Sequence, residues 1–260
     1  RVPAEMIATI LGLPESEAPY FSTRVCEMAQ AVSPVYPIGD HDRIERATAE
    51  LFAYVLEQMQ DRVGRPREDV LSALVSDWQE TRALPFTSLV HQVLGIIVAA
   101  SDTTRGALAM LVALLLQNPD QWAAVKADAE LVPGAVAEGL RYEPTVGSVP
   151  RFTTAEIEVA GLTLQPGAKL IVSTMSAMRD PALYSDPDRF DIRRTDHPRL
   201  HAVFGLGPHR CIGEMLARLE MQECLAALIA AAPGIELETA PRMIGFGGIR
   251  QITPMRVIIH

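Results

Sequence analysis

Cys211 stands in Phe204-Gly205-Leu206-Gly207-Pro208-His209-Arg210-Cys211-Ile212-Gly213, a glycine-punctuated loop running into a segment with helical spacing. That setting suits a thiolate held against a metal. Gly205, Gly207 and Gly213 permit torsions and close approach that a side chain forbids, so nearby N–H groups can point at the sulfur. Ile212, Leu216 and Leu219 recur at i, i+4 and i+7, which predicts a helix with Cys211 at its N-terminus, where the positive dipole end favours a thiolate. Taken alone, the same cysteine could be an inert free thiol in a turn.

Two further groupings carry chemistry. Ala99-Ala100-Ser101-Asp102-Thr103-Thr104 places four polar side chains inside an otherwise apolar helical run. A threonine hydroxyl there can bond the carbonyl four residues earlier, for Thr103 that of Ala99, and loosen the helix. The small neighbours leave room for a small molecule and a water, to which Asp102 and Thr103 could relay protons. The same groups could equally face solvent or cap a kink. Glu138 and Arg141 lie at i and i+3 on one helix face, a pairing that is common and weak on surfaces. The histidines His41, His91, His197, His201 and His260 form no metal-ligand spacing with one another and read as ordinary.

The loop resembles the haem-binding loop of the cytochrome P-450 family, the haem-thiolate monooxygenases, whose pattern F-x-x-G-x-x-x-C-x-G is matched by Phe204, Gly207, Cys211 and Gly213. The family's oxygen motif, A-G-x-D/E-T-T, is matched at Ala99, Asp102, Thr103 and Thr104. Ala100 departs from it, adding a methyl where glycine is usual. Glu138 and Arg141 match E-x-x-R, His201 matches H-x-x-F-G, and a Gly248-Ile249-Arg250 turn closes the order.

The resemblance implies a mainly α fold with small β-sheets, the C-terminal part of the family's fold, in which a long central helix at 84–117 lies over the haem and 204–213 is the haem-ligand loop. Residues 1–260 are then one domain lacking its N-terminal helices. Haem b would be ligated by Cys211 and contacted by Ala99, Phe204 and Gly205, with His209 and Arg151 meeting its carboxylates. An exposed strand arginine is the plain alternative for Arg151. Glu138 and Arg141 would join an arginine of the following meander in a buried network. Arg189 is the best match and Arg194 its rival.

By the same resemblance the activity is a monooxygenase reaction placing one atom of O2 in an apolar small molecule, with Asp102 and Thr103 assisting proton delivery. Ile97, Ala100, Val146, Gly147, Val149 and Phe246 fall at substrate-facing positions. The sequence carries no flavin or iron–sulfur motif, so electrons would come from a ferredoxin with its reductase, and Arg210 is a candidate docking cation. Two other readings stand beside this one: a peroxygenase using H2O2, which usually replaces the acid–threonine pair, and a haem-free scaffold related to the family, which has little reason to keep Cys211.

Composition bounds the rest. The chain has 260 residues, 48% of them hydrophobic, and a net charge of −9, which argues against general affinity for nucleic acid or anionic membranes. Three widely spaced cysteines suggest neither a disulfide framework nor a zinc site and fit a reducing cytoplasm. The apolar runs 93–100 and 107–116 are each short of the roughly 20 residues that span a bilayer. Apolar spacing predicts helices at 2–13, 42–63, 67–78, 120–128, 133–142 and 212–232, and a long one ending near Gln117 that Thr87 or Ser88 can cap. Strands are expected at 149–153, 157–159, 169–173, 235–238 and 255–259. Because the chain starts at Arg1 with no methionine, and 2–13 resembles a mid-protein segment of the family, a fragment of a longer polypeptide that binds haem weakly by itself is expected.

Overall fold

Helices dominate the chain, as the 3.6-residue spacing predicts, and short strands gather in its C-terminal half. The computed structural model describes residues 2–32, 38–198, 201–245 and 247–260. The chain gathers into two compact units, Arg1–Arg105 and Gly106–His260, each with its own apolar core.

The first unit holds α1 (Val2–Leu11), α2 (Ala18–Ala29), α3 (His41–Gly64), α4 (Val70–Thr81) and the first part of α5 (Phe86–Gln117). The buried stripe of α3 is Ile44, Ala47, Leu51, Val55 and Met59, the positions its spacing marks. Helix α2 escapes the sequence reading because two of its four buried positions, Ala18 and Ala29, are alanines that blur the period around Phe21 and Val25. Helix α4 begins three residues later than expected. Asp69, in extended conformation, accepts from the Ser72 N–H at 2.7 Å and so fixes the start. The same carboxylate meets buried Arg62 at 2.8 Å, and Arg62 also donates to the Gly12 carbonyl at 2.7 Å. That ties the end of α1 to α3 and α4.

Helix α5 is unbroken over 32 residues, about 48 Å at 1.5 Å per residue. It starts at Phe86, with the Pro85 carbonyl accepting from Ser88 and Leu89, so Thr87 and Ser88 sit in the first turn rather than capping it. Its two apolar runs serve different cores. Leu89, Val90, Val93, Leu94 and Ile97 belong to the first, and Ala107, Leu111, Leu114 and Leu115 to the second. Fused, the runs make a helix that by length and mean hydropathy of 1.4 could cross a membrane, which neither run suggested separately; half of that apolar window is buried inside the protein.

The second unit continues with α6 (Pro119–Ala127), α7 (Val132–Tyr142), β1 (Val146–Phe152), β2 (Ile157–Val159), β3 (Leu162–Leu164), β4 (Lys169–Ser173), α8 (Thr174–Ala177), α9 (Glu214–Ala231), β5 (Ile235–Thr239), β6 (Met243–Ile244), β7 (Gly248–Ile249), β8 (Gln251–Ile252) and β9 (Arg256–Ile259). Strand β1 is central in the order β4-β1-β7, and β2–β3, β5–β9 and β6–β8 form antiparallel pairs. Pairing with β7, Val146 against Ile249, starts β1 three residues before the alternation in sequence does. The core here joins Leu111 and Leu115 to Ala135, Val136, Ile192, Met221 and Leu225.

Close packing sets limits that small residues must meet. A Cβ on Gly134 in α7 would lie 2.5 Å from the Ile192 carbonyl oxygen, a backbone atom that cannot swing away. A Cβ on Gly95 in α5 would meet nothing within 4 Å. Gly134→Ala should therefore lower unfolding stability by about 1–3 kcal/mol in urea titration, whereas Gly95→Ala should leave it unchanged or raise it by up to ~1 kcal/mol.

Candidate functional site

Backbone bonds shape the Cys211 loop. The Cys211 N–H donates to the Phe204 carbonyl at 2.8 Å, Arg210 to Gly207 at 3.1 Å and Gly205 to Ala202 at 2.9 Å. Gly205 (φ 75°) and Gly207 (φ 83°) use left-handed torsions, whereas at Gly213 (φ −89°) a Cβ would make only an ordinary contact, 3.8 Å from the Cys211 sulfur, so neither torsion nor space requires glycine there. Helix α9 has Gly213 at its N-cap, so Cys211 lies two residues before the cap rather than immediately before a helix starting at Ile212. The thiol is exposed. Ile212 is 90% exposed, Met215 78% and Leu206 62%, so the apolar positions next to the cysteine are not spent on the core. Arg210, expected to face a partner, is engaged at home: it donates to the Gly205 carbonyl at 2.7 Å and pairs with Glu214.

Glu138 and Arg141 are fully buried and form a two-pronged pair, Nε–Oε2 2.7 Å and Nη2–Oε1 2.8 Å. The third member is Arg194 and not Arg189. Arg194, with a 5% exposed side chain, donates from Nε to Glu138 Oε2 at 3.2 Å. The Arg189 side chain is 65% exposed and, among the described residues, its ion pair is with Asp191, at 4.0 Å. What Arg189 contributes is its carbonyl, which accepts from Arg141 and from Arg194 at 3.0 Å each. The stretch turns at Asp186 (φ 44°), and the Asp186 carbonyl accepts from Arg194 at 3.1 Å. The Ser185 N–H, at 2.7 Å, and then the Arg194 guanidinium hold Asp196 down at about 2.

Two histidines read as ordinary belong to this cluster. His197 Nε2 stands 3.7 Å from Glu138 Oε2, and its ring is 5.4 Å from that of His201. His201 is 2% exposed, and neither ring nitrogen has a partner among the described residues. Burial, with the Arg218 charge next, pushes its pKa down to about 3. The H-x-x-F-G match was the signal available for it.

On α5, Thr103 Oγ1 donates to the Ala99 carbonyl at 2.6 Å and Ser101 Oγ to that of Ile97 at 2.7 Å, yet the helix continues through both. Asp102, 7% exposed, is held by Arg105, whose Nε is 3.1 Å from Oδ1. Ile97, expected to meet substrate, is wholly buried in the first core, because it shares the face of Val90, Val93 and Leu94. Ala100 packs partly against the same core.

On β1, Gly147 is buried, Val146 and Val149 are half-buried, and Arg151 is exposed with Nη1 on the Pro150 carbonyl at 2.8 Å. His209 is exposed. Phe246 lies outside the described residues. The structure thus brings Phe204, Gly205 and Cys211 together in one loop and Glu138 and Arg141 in one pair. Among the described residues, no group of three His, Cys, Asp or Glu is placed to hold a metal ion.

Comparison with known proteins bears directly on this arrangement. The family model for cytochrome P-450 matches residues 21–231. The chain is 41% identical over 258 residues to the plant-inducible cytochrome P-450 pinF1 of Rhizobium radiobacter, covering 99% of this chain and 61% of that protein. It is 36% identical over 243 residues to the monooxygenase PikC of Streptomyces venezuelae, covering 92% and 56%. This chain belongs to the cytochrome P-450 family. The crystal structure of the P-450 MoxA from Nonomuraea recticatena superposes with a TM-score of 0.87 at 30% identity, over 100% of this chain and 63% of MoxA. That of P-450 BioI with an acyl carrier protein ligated to hexadec-9Z-enoic acid gives 0.88 at 28% identity, over 99% and 66%. The chain therefore spans about three fifths of the length of the relatives it matches.

The family implies haem, and the loop fits it. An accessible sulfur on a backbone fixed by main-chain bonds, flanked by apolar side chains left open, suits a flat apolar group ligated through a thiolate.

Two expectations follow from the buried cluster. Arg194→Ala, which leaves the Glu138 carboxylate short of a partner in a dry site, should cost about 3–5 kcal/mol of stability. Arg189→Ala should stay within about 0.5 kcal/mol, and comparison of the two denaturation curves checks the assignment. The lowered pKa of His201 means that it is buried neutral, while the unfolded chain takes up the proton near 6.5. Stability should then fall as pH drops below 6.5 and continue falling toward pH 3, by up to ~1.4 kcal/mol per pH unit. His201→Leu should flatten that slope in unfolding measurements made across the window.

Proposed function

We propose that this chain serves a haem-dependent monooxygenase acting on an apolar small molecule, with Cys211 as the iron ligand. The observation that carries this reading is the open Cys211 thiol on its tied glycine loop, beside apolar residues that the core leaves exposed. Haem, when bound, supplies O2 activation at an iron made electron-rich by its thiolate.

The other residues have narrower tasks. Phe204 and Gly205 would contact the cofactor from the loop, and Ala99 keeps that role from the sequence resemblance alone, while His209 and Arg151, exposed and without acidic partners among the described residues, would offer donors to its carboxylates. Thr103 carries a hydroxyl proton already aligned along a hydrogen bond, and Asp102 is a carboxylate held in place by Arg105. Together they fit proton delivery at the reacting oxygen. Ala100, Val146, Gly147 and Val149 remain the substrate-facing positions, with Ile97 removed and Phe246 retained from sequence alone. Glu138, Arg141 and Arg194 brace the segment that leads into the loop. Electrons are assigned to a ferredoxin and its reductase, the donors that the resemblance to the family implies. Retention of the acid–threonine pair favours O2 over peroxide as oxidant, and retention of Cys211 favours an enzyme over a scaffold.

The test is spectroscopic. The ferrous carbon monoxide complex of the haem-loaded protein should show the red-shifted Soret band of thiolate ligation, and Cys211→Ser should abolish it. A wild-type band at the position of histidine-ligated haem would overturn the assignment.

A further inference from the structure

Arg210 precedes the cysteine, and its guanidinium spans the loop. One Nη donates to the Gly205 carbonyl at 2.7 Å, near the start of the loop, and the other pairs with Glu214, the first residue of α9. Glu214 also accepts from Arg218 Nε at 3.2 Å, and the Arg218 guanidinium lies 4.9 Å from the centre of the Phe204 ring. A closed circuit results: Gly205, Arg210, Glu214, Arg218 and Phe204 surround the backbone on which Cys211 sits. The side chains of Arg210 and Glu214 are 23% and 17% exposed, so the pair is partly shielded, where a charge-assisted bond is stronger than at an open surface.

We propose that Arg210 is a positioning residue that clamps the two ends of the cysteine loop and sets the place of the Cys211 sulfur before any cofactor arrives. Gly205 uses a left-handed torsion and carries no side chain, so it cannot hold the loop entrance by packing. Leu206 and Ile212 are largely exposed and cannot hold it by burial either. Main-chain bonds fix the loop from inside, chiefly Cys211 N–H to Phe204, and the Arg210–Glu214 strap fixes it across. Glu214 serves both arginines, and as a carboxylate in the first turn of α9 it is further favoured by the helix dipole. A cation expected to bind an electron donor is thus committed to the loop. The role of the sulfur rests on the monooxygenase reading, whereas the clamp itself does not.

Hydrogen exchange at the Cys211 amide in the chain without cofactor reads the clamp directly. Arg210→Ala should speed that exchange about tenfold, the scale of a lost hydrogen bond from a charged donor. Glu214→Ala should do the same, and the double variant should add little to either change, because both break one strap. Arg210→Lys, able to reach one of the two acceptors, should fall between. In haem-loaded protein the same variants should convert ferrous carbon monoxide complex from the thiolate-type to the thiol-type band, a signature that a general loss of stability does not produce at equal folded fraction. Unchanged exchange in both single variants would overturn the proposal. So would slower reduction by a ferredoxin with exchange unchanged, which would return Arg210 to a docking role. If wild-type protein gave no thiolate band while the exchange results held, the clamp would stand and the haem reading would fail.

Discussion

A carboxylate with no exposure to water governs the second unit of this chain. Removing Glu138 from solvent costs several kcal/mol, which only a full set of partners offsets. Arg141 gives two bonds, Arg194 one, and the Asp191 N–H one, so both oxygens are satisfied. Arg141 in turn draws in the carbonyls of Met178, Pro187 and Arg189. Through these bonds a stretch rich in Pro, Asp and Arg, with neither helix nor strand to order it, acquires one conformation. The chain leaves that stretch at His197 and His201 and enters the cysteine loop a few residues later.

Helix α5 solves a different problem. Its apolar faces on either side of Ser101–Arg105 feed two separate cores, and the polar interval coincides with the division between the units. Polar groups there are quieted locally: Ser101 and Thr103 bond carbonyls of their own helix, and Asp102 bonds Arg105 one turn on. Each satisfies its demand without a distant partner, so the residues proposed for proton delivery need no other element to hold them in place.

The loop around Cys211 divides its work between backbone and side chains. Glycines at positive φ turn the chain, main-chain bonds close it, and Arg210, next to the cysteine, pairs with Glu214 at the start of the following helix. The side chains that would ordinarily bury themselves here, Leu206, Ile212 and Met215, stay open, which suits a surface meant for an apolar group.

Sequence by itself determined what depends on short-range pattern. The spacing of Phe204, Gly207, Cys211 and Gly213 marked the cysteine loop that carries the family resemblance, the 3.6-residue stripe of α3 marked its buried face, and the i, i+4 relation of Ala99 and Thr103 marked the hydrogen bond between them. Each is fixed by residues within a turn or two of one another, so the local backbone carries it. Tertiary structure alone decided the rest: that Arg194 and not Arg189 faces Glu138, that Ile97 belongs to a core, that Arg210 turns back on its loop, that β1 begins at Val146, and that two cores form along one helix. In each of these the outcome turns on which way a side chain points or which distant segment pairs with it. Those choices are made by closing contacts across tens of residues, and no neighbouring letters encode them.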